Sequence, residues 1–225
     1  MTDLNEKTVA EKDAIVEAAL THVPFDGWSW KALEAAAVGR GPAARKAFPA
    51  GLLEAAEHLS DWADRRMTAA MEDMDMEPMR LRERLAAGVR ARLELFRLHH
   101  EAVRRIAAFL ALPGHKGVAL RLTWKTVDAI WRGAGDDSSH DSHDFSYYTK
   151  RGLLAPVYIT TVLYWLADES DGFEGTWDYL DRRIADVLKI STARARMKEA
   201  TAGIPSPFRL FRMLREGLNN GMASP

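Results

Sequence analysis

Apolar residues recur three and four positions apart along almost the whole chain, and the strict alternation of half-buried strands is nearly absent. That period belongs to helices. Ala, Leu, Arg and Glu, all good helix formers, fill the periodic stretches. About ten helices are predicted, separated by Gly, Pro and polar clusters. The first spans 8–22, with Ile15, Ala18, Ala19 and Leu20 inward and Pro24 and Gly27 ending it. Short helices follow over 29–38, with Ser29 as N-cap, and over 42–48, bounded by Gly39, Gly41, Pro49 and Gly51. Longer ones are predicted over 52–71, 79–98, 99–112, 116–132, 145–166 and 172–190. The acidic, Met-rich run 72–78 and the polar run 136–143 read as connections.

The order of parts suggests a head at 8–50, a helical domain at 51–191, a polar linker at 192–204 and a terminal helix at 205–220. Short helices ahead of longer ones resemble the layout of tetracycline-repressor-like proteins, in which a helix-turn-helix head precedes a helical ligand domain. Arg40, Arg45 and Lys46 lie on or beside the second helix of that head, where a DNA reader would need them. The segment Ala43-Ala44-Arg45-Lys46-Ala47-Phe48 offers few groups that could reach base edges, however. Phosphate contacts alone bind weakly and salt-sensitively. The expectation is a degenerate head and no nucleic-acid partner.

Composition narrows the field further. With 47% apolar residues in 225, the chain can bury a substantial core, and its net charge of −1 gives no general attraction to nucleic acid. It has no cysteine, so disulfides, thiolate zinc sites and thiol nucleophiles are excluded. No run approaches the roughly 18 apolar residues of a membrane span. The start, MTDLNEKTVAEKD, is polar and acidic rather than signal-like. The expected location is the cytoplasm, with only peripheral membrane contact.

Catalytic chemistry is hard to find. The chain has no Gly-rich phosphate loop, no HExxH and no ExxH. Asp136, Asp137, His140, Asp141, His143 and Asp144 form the one metal-like cluster, in a Ser-containing loop without the rigid second shell a metal site needs. The expectation is no metal, no cofactor and no enzymatic activity. His99 and His100 read as surface or capping residues.

Two apolar stripes stand out. Trp124, Val127 and Trp131 share one helix face, as do Leu154, Tyr158, Thr161 and Trp165 on the next helix, with Leu93 and Phe96 as a third wall. Facing aromatics can line a lipid cavity or simply fill a core, and the pattern alone allows both. In the terminal helix, Leu210, Phe211, Leu214 and Leu218 form one arc, with Phe208 and Met213 at its edges. Arg209, Arg212 and Glu216 take the other side, and Arg215 the boundary. That is the pattern of an interfacial membrane helix whose Arg heads reach lipid phosphates. Docking onto its own domain, or onto a second copy, fits the pattern as well.

The segment 120–183 is the most distinctive. In order it carries TVDAIW at 126–131, YYTKR at 147–151 and TWDYLDRR at 176–183. Together with 48–67 and 82–113, these strongly resemble the Coq-nine family of ubiquinone-biosynthesis accessory proteins, from about residue 14 to about residue 190. The resemblance implies an all-α, tetracycline-repressor-like helical bundle that has lost DNA binding and ends in an amphipathic membrane-binding helix. It implies a helical domain that holds a phospholipid or a polyprenylated quinone precursor. It also implies direct contact with the di-iron enzyme that hydroxylates demethoxyubiquinone. Carried over by motif, the partner-binding patch falls on Asp128, Ile130, Tyr147, Tyr148 and Arg151. Two departures stand out: Tyr147 replaces a usual Trp, and the loop 136–143 is longer and richer in His and Asp. The expected setting is the inner, cytoplasmic membrane of a bacterium, with a homodimer as the assembly. The alternatives are a tetracycline-repressor-like transcriptional regulator with a hydrophobic effector, and an enzyme acting on the lipid itself.

Overall fold

Helix-forming residues in amphipathic order give nine α-helices and no strand among the described residues, 2–136 and 145–201 of a computed structural model. They are α1 (Thr2–Asp26), α2 (Trp30–Ala37), α3 (Ala44–Ala47), α4 (Leu52–Glu72), α5 (Leu81–Glu94), α6 (His100–Leu110), α7 (Lys116–Gly133), α8 (Phe145–Trp165) and α9 (Glu174–Thr201). The chain divides into two units, Met1–Ile184 and Ala185–Pro225, with the break inside α9. The pocket and the ion network described below lie wholly in the first unit.

In the head, α1 packs on α2, α4 and α6. Its Ile15, Val16, Ala19, Leu20 and Val23 are buried, and it stops at Gly27, whose φ of +68° suits a left-handed cap. Ser29 caps α2 by accepting from Ala32 N at 3.4 Å. Glu34 then caps α3, accepting from Ala44 N at 3.0 Å and Arg45 N at 3.2 Å. Trp28 ties the head to the domain by donating its indole N–H to Leu52 O at 2.9 Å.

In the helical domain, α4 packs on α5 and α7, and α7 in turn on α5 and α8. Gly88 sits where α4, α5 and α7 approach closely: a Cβ there would stand 3.0 Å from both Ile130 and the buried Met71, so those side chains would have to give way.

Two helices are longer than the sequence suggests. α1 begins at Thr2 and passes Pro24 before ending. α9 continues through 192–201, into the segment read as a linker. Its Ala, Arg, Met, Lys and Glu residues are strong helix formers, and nothing breaks the run. The terminal helix expected over 205–220, and with it Phe208, Arg209, Leu210, Phe211, Arg212, Leu214, Arg215 and Leu218, lies outside the described residues.

Candidate functional site

A pocket of about 320 Å³ opens in the helical domain, walled by α4, α5, α6, α7 and α8. Its lining is overwhelmingly aliphatic. On α6, Val103, Ile106, Ala107 and Leu110 form one helical stripe along the wall. The rim carries Leu120, Ile159 and Leu163, which are 66%, 37% and 60% exposed. Its buried walls include Leu59, Leu93, Phe96 and Leu122. A site of this size and polarity suits part of a lipid.

One side of the pocket is polar. The Arg92 guanidinium donates to the Tyr158 hydroxyl at 3.0 Å and to Ser60 Oγ at 3.0 Å, and pairs with Asp64 at 3.2 Å. Thr126 Oγ1 donates to Asp64 at 2.9 Å. Burial pushes the Asp64 carboxyl above its ordinary range, against the pull of Arg92 and Thr126. Burial also works against the Arg92 charge, but Tyr158 and Asp64 outweigh it and raise its pKa. Ser60, Arg92, Thr126 and Tyr158 all line the pocket.

The second cluster joins α7 to α8. Arg151, fully enclosed, donates through Nε to Asp128 at 2.5 Å and through Nη1 to Asp136 at 3.1 Å. The Tyr147 hydroxyl donates to Asp128 at 3.0 Å, and Arg132 bonds the other oxygen of that carboxylate. Lys150 reaches Asp136 at 2.9 Å, and the Arg151 guanidinium lies 3.5 Å from the Tyr147 ring centroid. Burial, then the bond to Asp128 and its charge, raise the Tyr147 pKa, so the phenol stays a donor.

The structure redistributes the residues singled out from sequence. Of the candidate lipid contacts, Leu93, Phe96 and Tyr158 line the pocket. Val127, Trp131, Leu154, Thr161 and Trp165 are buried but line no part of it, and Trp124 stacks on Tyr148 with centroids 6.2 Å apart. The reason is volume: the tryptophan rings fill space between helices, and apart from Phe96 and Tyr158 the wall is made largely of smaller Ala, Val, Leu, Ile and Thr side chains. The α6 stripe was readable as an i, i+3, i+4, i+7 pattern, and Arg92 as a charge inside an apolar face. Of the candidate partner contacts, Asp128, Ile130, Tyr147 and Arg151 are interior, and Tyr148 alone is well exposed, at 49%. Tyr147 and Arg151 do meet, as their spacing requires, but inside the domain. Asp136 serves the ion network, while residues 137–144 of the His/Asp loop lie outside the described residues. His100 is a packing residue: its Nε2 lies 2.8 Å from Trp165 O, and its ring stacks on Phe173.

Comparison with known proteins adds an independent line. The COQ9 family model matches residues 117–191, a range that includes Asp128, Arg151 and the α7 and α8 walls of the pocket. The chain is 31% identical over 193 residues to the human protein named ubiquinone biosynthesis protein COQ9, mitochondrial, covering 82% of this chain and 59% of that one. It is 32% identical over 188 residues to the Xenopus tropicalis protein of the same name, covering 80% and 58%. The chain therefore spans about three fifths of the length of the curated relatives it matches. Among solved structures, a TetR transcriptional regulator from Nitrosomonas europaea superposes with a TM-score of 0.61 at 17% identity, covering 79% of this chain and 97% of that one. That likeness establishes an all-α, tetracycline-repressor-like fold.

Proposed function

The chain belongs to the COQ9 family, and from that premise we propose that it serves ubiquinone biosynthesis as a lipid-binding accessory protein without catalysis of its own. The observation that carries the reading is the aliphatic pocket with its exposed apolar rim. It takes part of a polyprenylated quinone precursor or a phospholipid and presents it to the di-iron demethoxyubiquinone hydroxylase at a membrane surface. The partner meets the exposed Tyr148 and the Trp124 stacked on it. Asp128, Tyr147 and Arg151 act from within, fixing α8 against α7 so that Tyr148 is held in place. The amphipathic segment 208–218 supplies membrane contact.

A second reading, a transcriptional regulator with a hydrophobic effector, draws on the fold likeness. The head speaks against it. Its α3 is a single turn of four residues. Arg45 lies over the Trp30 ring at 4.5 Å, and Arg40 donates to Ala36 O at 3.0 Å. A recognition helix needs several side chains free to enter the major groove.

Native mass spectrometry of the purified chain, with solvent extraction, tests the proposal. The expected result is a stoichiometric co-purifying lipid that survives gentle ionisation. A lipid-free chain that binds one duplex sequence at nanomolar affinity in physiological salt would favour the regulator instead.

A further inference from the structure

The run 73–80, which joins α4 to α5, carries Met74, Met76 and Met79 and no Leu, Ile, Val or aromatic residue. All three methionines are half-buried, whereas Asp73, Asp75, Glu77 and Pro78 between them are exposed. The run thus turns its thioethers inward and its carboxylates outward, and the thioethers stay within reach of solvent. Met67 and Met71, on the last turns of α4, are buried, and Met71 is taken up by packing against Gly88 and Gly133.

The backbone holds the three exposed thioethers close together. Met79 N donates to Met76 O at 3.2 Å, which closes a turn whose ends lie within about 7 Å of each other. Met74 stands two residues before Met76, so their Cα atoms are at most about 7 Å apart. Methionine has three rotatable side-chain bonds, enough for such neighbours to converge on one point. Arg84 pins the turn in place: its Nε donates to Met79 O at 3.0 Å, and its Nη1 to Ala134 O, at the end of α7, at 3.4 Å.

Ligand chemistry selects what belongs there. Glu72, Asp73, Asp75 and Glu77 are exposed and form no ion pair among the described residues, so their field draws cations to the turn. That field does not choose among cations, but the sulfurs do. Thioethers are neutral, polarisable donors that suit Cu(I), whereas hard ions take oxygen and zinc takes imidazole, thiolate or carboxylate.

We propose that Met74, Met76 and Met79 form a binding site for one Cu(I) ion, held by three thioether sulfurs. Occupancy ties the α4–α5 turn into a closed loop beside the end of α7. The site is separate from the aliphatic pocket and does not depend on the lipid-binding reading.

Anaerobic titration of the full chain with Cu(I), in competition with the coloured chelator bathocuproine disulfonate, tests the site. The expected result is one Cu(I) withdrawn per chain and not displaced by excess Zn(II), with only sulfur neighbours in the copper-edge X-ray absorption spectrum. The triple variant Met74→Leu, Met76→Leu and Met79→Leu keeps the apolar volume and should bind at least about tenfold more weakly. A chain that withdraws no Cu(I) overturns the site. So does a spectrum with nitrogen or oxygen neighbours, which would move the ion to the histidines, or undiminished affinity in the triple variant. If that variant does not fold, the spectrum of the unaltered chain decides alone.

Discussion

Arg151 is fully enclosed, and its charge is met by Asp128 and Asp136 on one side and the Tyr147 ring on the other. Removing Arg151 takes from Asp128 and Asp136 their enclosed partner and leaves them only the more exposed Arg132 and Lys150, and breaking a buried pair in this way typically costs about 3–5 kcal/mol. Arg151→Ala should therefore lower urea-unfolding stability by about that amount, and any loss of hydroxylase binding should accompany the loss of fold. Tyr148→Ala should behave in the opposite way, with stability changed by about 1 kcal/mol or less and hydroxylase capture in a pull-down abolished. An unfolding curve for Arg151→Ala that matches the unaltered chain would show that the network is not as enclosed as described. The pair of tyrosines and the arginine were legible in the sequence as a group, because spacing puts positions i and i+4 on one helix face. Which of them faces outward was not legible. An Arg beside an aromatic ring suits a protein interface and a buried cation–π contact equally, and only the packing of α7 against α8 decides between them.

At the scale of elements, the helices were legible nearly throughout, because apolar period and Ser, Gly and Pro signals agree. The ends were less so. Pro24 fails to stop α1, which ends instead at Gly27. The turn into α9 holds more than its sequence suggests. Phe173 adopts φ +59°, a left-handed conformation costly for an aromatic residue, and its ring packs on His100 and Trp165. Asp168 caps this turn, accepting from Thr176 N at 2.8 Å, Thr176 Oγ1 at 2.6 Å and Ser170 N at 2.9 Å. Burial is the largest single effect and opposes its charge, but the bonds from Ser170 and Thr176 together prevail and hold the carboxyl at about 2, against an ordinary 3.8. Because the folded pKa lies below the unfolded one, the stabilisation is present above about pH 4 and is lost as pH falls toward 2. Asp168→Asn should flatten that part of the stability–pH curve, measured by thermal unfolding between about pH 5 and about pH 2. An unchanged slope would mean that other carboxylates carry the acid sensitivity.

For the whole molecule, a helical fold of repressor type has been given an interior with room in it. The sequence singled out side chains on α5, α7 and α8, helices that all contribute to the pocket, but most of those named on α7 and α8 do not line it. Trp131 and Trp165 have large apolar surfaces, yet they are buried away from the cavity, Trp124 stacks on Tyr148, and the wall is made by Ala107, Leu122, Thr123 and their neighbours. Periodicity reports which face of a helix is apolar, not whether that face meets another or stops short of it. The amphipathic segment 208–218 gives a separate expectation: the full chain should co-sediment with anionic phosphatidylglycerol vesicles, and Phe211→Glu with Leu214→Glu should release it. Equal sedimentation of the two would assign that apolar face to another role. The central claim is that the pocket is the lipid site, and filling it tests that most directly. Ala107 lines the wall in the middle of α6, so Ala107→Phe places a ring in the cavity. Titration of a short-chain prenylated benzoquinone should show saturable, one-to-one binding to the unaltered chain and at least about tenfold weaker binding to a folded Ala107→Phe variant. Binding that is undiminished with the cavity filled would contradict the account.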